Sequence, residues 1–245
     1  MEPFFIFAVL AGGAICYAVY DSLLRTVPQG AIVKRLPRAL VGAARPGLVH
    51  VRGRVVLDRS IEPLEAPLAG AGVFVRVHIE RLEHNTGGGR GGATSADVVE
   101  ASMSPEWTPL HKSDRCVPFL LDDGSGVLAV DLEGAKVLPD RRVDVVSRPE
   151  APDARVLELA RAHMPDEPLD GWVLRLTVET FAEGDEISVL GLAEEVAGTT
   201  SIAPYRGGAT PPRLRVVRPP DERPMFASHG PLTELAESGR INAAE

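Results

Sequence analysis

The chain has 245 residues, with 26 Lys and Arg set against 34 Asp and Glu, for a formal net charge of −8. That balance argues against a nucleic-acid binder, because phosphate contacts need concentrated Lys and Arg. Only two cysteines are present and there is no C-x-x-C pair, so neither a disulfide framework nor structural zinc is expected.

In chain order, the first element is an uncharged apolar run from Pro3 to Tyr20. At about 1.5 Å per helical residue it matches the roughly 30 Å hydrocarbon layer of a bilayer. A signal peptide would want a positive start and a small-residue cleavage site, whereas this chain opens Met1-Glu2 and follows the run with Tyr20-Asp21. Residues 3–20 are therefore read as a retained transmembrane helix. Residues 21–46 are read as a basic juxtamembrane linker, with Arg25, Lys34, Arg35 and Arg38 against anionic lipid headgroups. The excess of Lys and Arg after the span places the soluble part in the cytoplasm, on a single-pass protein. Residues 21–60 carry eight Arg and Lys against two Asp, so the rest of the body is strongly acidic and should stand off the membrane.

Residues 47–235 read as one compact, mainly β domain, an antiparallel barrel or sandwich with one or two short helices. Leu48 to Leu57 and Gly72 to Glu83 alternate with period two; Val73, Val75, Val77 and Ile79 share one face, and Arg76, His78 and Glu80 the other. Val117 to Leu121 and Gly126 to Leu132 flank Asp122-Asp123-Gly124-Ser125, a hairpin composition. Arg142 to Arg148 reads as a strand. Ala154 to His163 follows the cap-like Asp153 and reads as a helix with Val156, Leu157 and Ala160 on one stripe. Trp172 to Phe181 and Glu186 to Val196 read as a second hairpin, Arg213 to Val217 as a last strand, and Leu232 to Glu237 as a short helix. Residues 236–245 are read as a polar tail. Asn85 to Ser104, Ala197 to Pro212 and Pro219 to Pro224 are Gly- or Pro-rich and read as loops open to contact with a partner.

No catalytic, cofactor or metal residue is assigned. The Asn85 to Ser104 segment lacks the Gly-Lys-Ser/Thr ending of a phosphate-binding loop. His78 and Glu80 have the H-x-E spacing of zinc deaminases, but the companion P-C-x-x-C is absent, and on a strand they read as an exposed pair. His111, Asp114 and Cys116 lie within one short segment, whereas nucleophile, base and orienting acid normally converge from separate elements. Asp122 and Asp123 offer too few oxygens for calcium and fit a turn. The six histidines, at 50, 78, 84, 111, 163 and 229, give no set with structural zinc spacing.

The order of these pieces is more specific than any one of them. The glycine-linked strand from Gly47 to Val55, Leu64-Glu65-Ala66-Pro67-Leu68-Ala69-Gly70 before Val73 to Val77, the stretch Pro118 to Gly126, Glu183-Gly184-Asp185 before Glu186 to Gly191, and Pro224 to Ser228 follow an apolar helix. That succession resembles the GIDE family, whose shared region is also called the "beside a membrane" domain. The resemblance implies kinship with membrane-embedded RING-type E3 ubiquitin ligases of organelles, in which two membrane helices bracket this domain. After Ser228 this chain has neither a second apolar run nor the Cys/His pairs that a RING requires. The expectation is a membrane-anchored, non-enzymatic binding or scaffold module with a protein partner. The alternative is a recognition subunit of a ubiquitin-ligase-like or membrane stress system whose catalytic part is another chain.

Overall fold

The computed structural model describes residues 29–83, 106–196, 214–220, 225–238 and 241. The expected membrane span at 3–20, Arg25, the glycine-rich stretch 85–104 and the connector 197–212 lie outside these. Among the described residues no helix is long and apolar enough to cross a membrane. The protein is mainly β. The strands are β1 (Gly47–Val56), β2 (Leu64–Ala66), β3 (Gly70–Gly72), β4 (Phe74–Glu83), β5 (Glu106–Cys116), β6 (Phe119–Asp122), β7 (Val127–Val130), β8 (Lys136–Leu138), β9 (Arg142–Ser147), β10 (Leu174–Phe181), β11 (Glu186–Glu195), β12 (Leu214–Val217) and β13 (Phe226–Ser228). The helices are α1 (Gln29–Arg35), α2 (Ala154–His163) and α3 (Leu232–Glu237), with a 3-10 turn at Val41–Ala43.

Where the strand pattern suggested one unit, the chain forms two: Met1–Arg54, Leu120–Leu138 and Glu186–Glu245 in the first, Val55–Phe119 and Pro139–Asp185 in the second. In the first, β1, β6, β7, β12 and β11 are neighbours in that order, and β11 returns to β1. The β11–β1 contact is antiparallel and the β12–β7 contact parallel. Counted along the chain, the ring runs first, second, third, fifth, fourth, the connectivity of five-stranded Greek-key barrels of the OB type. Inside it, Val49 faces Gly191, Val51 faces Val189 and Gly53 faces Ile187.

In strand β11, Ile187 to Gly191 are buried without interruption, so both of its faces are covered. The cause is a second apolar layer. Leu190 packs with Val33, Phe226, Leu232, Leu235, Ala236 and Ile241, which α1, β13 and the C-terminal residues supply. The stretch read as a linker is thus folded from Gln29 onward, and the stretch read as a polar tail contributes Ile241, which is fully buried.

The second unit is an antiparallel sheet in the order β5-β4-β10-β9, with β2 and β3 as a separate pair. The alternation of β4 does what its pattern predicts: Val75, Val77 and Ile79 join Leu174, Leu176 and Val178 in a core closed by Val156, Ala160 and Met164. Helix α2 starts where Asp153 predicts. That carboxylate accepts the Arg155 N–H (2.9 Å) and the Val156 N–H (3.4 Å), and the hydrogen bond from the Arg155 side chain, with these amides, holds its pKa down to about 2.

The expected hairpin between Trp172 and Val196 does not form, because β10 pairs with β4 and β9 while β11 pairs with β1, β12 and β13. Its turn carries the chain between sheets instead. The Ala182 N–H donates to Asp185 Oδ2 (2.7 Å), Gly184 takes φ +89°, and the Gly184 N–H and Asp185 carbonyl bond the Val55 carbonyl and N–H at 2.8 Å each. Period-two patterning fixes which face of a strand is buried, not which strand lies beside it.

Candidate functional site

A gathering of charged and ring side chains lies on the four-stranded sheet, and β5 organises it. Sequence reasoning left Glu106 to Cys116 unassigned, because Pro109 and five charged or imidazole residues break any clean alternation. It is an edge strand, where proline is tolerated, and its pairing with β4 shifts register between Ile79 and Glu80. Pro109 faces Glu80 and His111 faces Ile79, so Leu110 is the extra residue of a bulge. Leu110 packs on the helix-side core, and the His111 ring stands 4.5 Å from that of His163 at the end of α2.

The opposite face holds an ion-pair ladder. Arg76 donates to both oxygens of Asp114 (2.9 Å each) and to Glu179 (3.2 Å). Arg142 donates to Asp144 (2.7 Å), which also accepts the Thr177 hydroxyl (2.6 Å), and Arg175 pairs with Glu80 while stacking on Trp107 at 4.4 Å. Burial alone would raise the Asp114 pKa, but the hydrogen bonds and charge of Arg76 hold it below the ordinary carboxylate value. At Asp144 the bond from Arg142 is the dominant cause of the same direction.

This geometry separates the sequence candidates. His111 points to the helix side, while Asp114 and Cys116 alternate to the other, and Asp114 is gripped by Arg76, so the three do not converge on one point. Glu80 was expected on the surface beside His78 but is only 9 % exposed, and it is neutralised by Arg175. Asp122 and Asp123 do build the turn: Asp122 accepts the Gly124 N–H (2.8 Å), while Asp123 accepts those of Ser125 and Val41 (2.9 Å each). Gly42 donates to the Ser125 hydroxyl at 2.9 Å, and a side chain there would stand 2.3 Å from the Ser125 carbonyl oxygen. The turn is thereby a dock for the segment before the barrel. Among the described residues no group of three or more His, Cys, Asp or Glu is placed to hold a metal ion.

In OB-type barrels, ligands meet the second and third strands and the loops after the first and fourth. Here β6 and β7 present Val127 and Ala129, not the aromatic and cationic platform that single-stranded nucleic acid requires. The connection from β1 to β6 has grown into most of the second unit.

On the barrel, His50 is 4 % exposed, and the chain segment before β1 covers it: the Ala39 N–H donates to its carbonyl. Burial pushes its pKa below 6.5; a hydrogen bond with the Leu36 backbone opposes this, and the Arg38 charge adds to it. The folded state therefore binds fewer protons than the unfolded chain just below pH 6.5. Stability from this group is fully present above that pH and lost as pH falls through the lowered folded value. Denaturant midpoints of the full chain in detergent should hold level from pH 8 to 7 and drop between 6.5 and 5. His50→Gln should flatten that drop; an equally steep drop in the variant refutes the assignment.

Compared with family models, with curated proteins and with solved structures, the chain matches none.

Proposed function

We infer that this chain is a membrane-tethered, non-enzymatic binding module, held to the bilayer through residues 3–20, with its body in the cytoplasm. One observation carries the reading. In the segment after the apolar run, Val33 is fully buried and Val41 and Gly42 are hydrogen-bonded to the barrel turn, whereas Lys34, Arg35 and Arg38 are exposed. A collar of cations fixed on a folded body, in the segment that follows an apolar run, suits anionic headgroups, each well-placed charge contributing roughly 1 kcal/mol. Elsewhere Asp122, Asp123, Asp153, Asp114 and Asp144 are engaged in turns, a cap and ion pairs, which suits a scaffold whose surfaces recognise a protein. The succession of motifs resembling the GIDE family supports the same reading.

The test is fractionation with a topology reporter. The full chain should stay with membranes through a high-salt wash, a version lacking residues 1–24 should become soluble and remain folded, and a reporter after Glu245 should behave as cytoplasmic. Lys34→Glu with Arg35→Glu should weaken binding of the truncated chain to vesicles containing phosphatidylserine. Periplasmic reporter activity, or membrane retention of the truncated chain in high salt, overturns the reading.

A further inference from the structure

We propose that His111 and His163 form a two-imidazole site for a divalent transition-metal cation, best suited to copper(II). This goes beyond the binding-module reading and does not depend on it.

The ring nitrogens are set up as ligands. His163 Nδ1 lies 2.9 Å from the Leu159 carbonyl oxygen, which can only accept, so Nδ1 carries the proton and Nε2 keeps its lone pair. A backbone carbonyl holding the other ring N–H is the usual support of a metal-binding histidine. His111 Nε2 is shielded from solvent and has no hydrogen-bond partner among the described residues. A buried ring nitrogen in that state calls for a partner.

The ring spacing is compatible with one shared ion. With metal–nitrogen bonds of about 2.0 Å, two imidazoles at adjacent corners of a square would put their centroids roughly 4.5 Å apart, and at tetrahedral corners roughly 5.1 Å apart. The observed separation is 4.5 Å, with the ring planes at 57°. Tetragonal nitrogen sites suit copper(II) and nickel(II), and copper(II) binds the more tightly of the two. No third protein ligand completes the set among the described residues, so solvent would fill the other positions. Such a site differs from the tetrahedral structural zinc that the sequence argues against. The bulge adds the geometric reason for its place: Leu110 roots β5 in the helix-side core next to the ring it presents to α2.

The experiment uses the full chain in detergent micelles, purified without a polyhistidine tag, titrated with copper(II), and followed by calorimetry and by pulsed electron paramagnetic resonance. One equivalent of copper should bind with two imidazole nitrogens in its spectrum. His111→Asn and His163→Gln should each weaken binding at least about tenfold, while His229→Gln leaves it unchanged. The nitrogen count on the unaltered protein serves if either variant fails to fold. Zero or one imidazole, or affinity retained in both variants, overturns the site and leaves the two rings as an ordinary packed contact.

Discussion

Phe226→Ala should destabilise the protein by about 3–5 kcal/mol, the cost of removing a large ring from a packed interior. Phe226 is 1 % exposed, on a three-residue strand that pairs with β11 through Leu190 and with β8 through Lys136. Its ring belongs to the cluster that joins Val33 of α1, Leu232 and Leu235 of α3, and Ile241. The loss should therefore be felt beyond the substituted strand. Pulse proteolysis in urea would report the overall cost, and hydrogen exchange its distribution: faster in 29–35 and 232–237, unchanged in α2. Phe226→Leu should cost much less, since most of the volume remains. If 29–35 keeps its protection in the Ala variant, α1 is not held by this cluster, and the folded collar loses its basis.

The second large effect is expected at Gly191, where the barrel has no room for a side chain. A Cβ there would stand 2.6 Å from Val216 Cγ1, 3.1 Å from the Val217 carbonyl oxygen and 3.3 Å from Met225 Cγ. The nearest atom is a stiff β-branched methyl and the next is backbone, while Leu192 and Ala193 pair with Val217 and Val216 on the same edge. Relief requires parting β11 from β12, so Gly191→Ala should cost about 1–3 kcal/mol, as overpacking does. Val216→Ala opens space beside the added methyl. The two together should cost less than the sum of their separate effects by roughly 0.5–3 kcal/mol in denaturant titrations. Strict additivity would mean that the barrel interior yields elsewhere and that its packing around Gly191 is loose.

Both predictions concern residues whose neighbours the sequence does not signal. Gly191 lies in a stretch that reads as a strand, but the surroundings that forbid a methyl come from β12 and Met225, beyond the reach of local patterning. The imidazole pair is similar: His111 and His163 were read as scattered, because neither spacing nor composition reveals that an edge strand and a helix end meet. The one available signal was His163 in the last turn of a predicted helix, where its Nδ1 can reach back to the Leu159 carbonyl.

Local chemistry was legible wherever the interaction is local. The Asp153 cap, the Asp122 to Gly126 turn, the inward valines of β4 and the β-rich class all follow from side chains acting on backbone within a few residues, or from the two-residue period of a strand. The tertiary structure alone decided pairing and layering. It placed β10 and β11 in different sheets although four residues separate them, closed β11 back onto β1, and buried Ile187 to Gly191 on both faces under α1 and the C-terminal residues. Partner choice depends on summed contacts between segments more than a hundred residues apart, and single-strand patterning holds no record of which surfaces will meet.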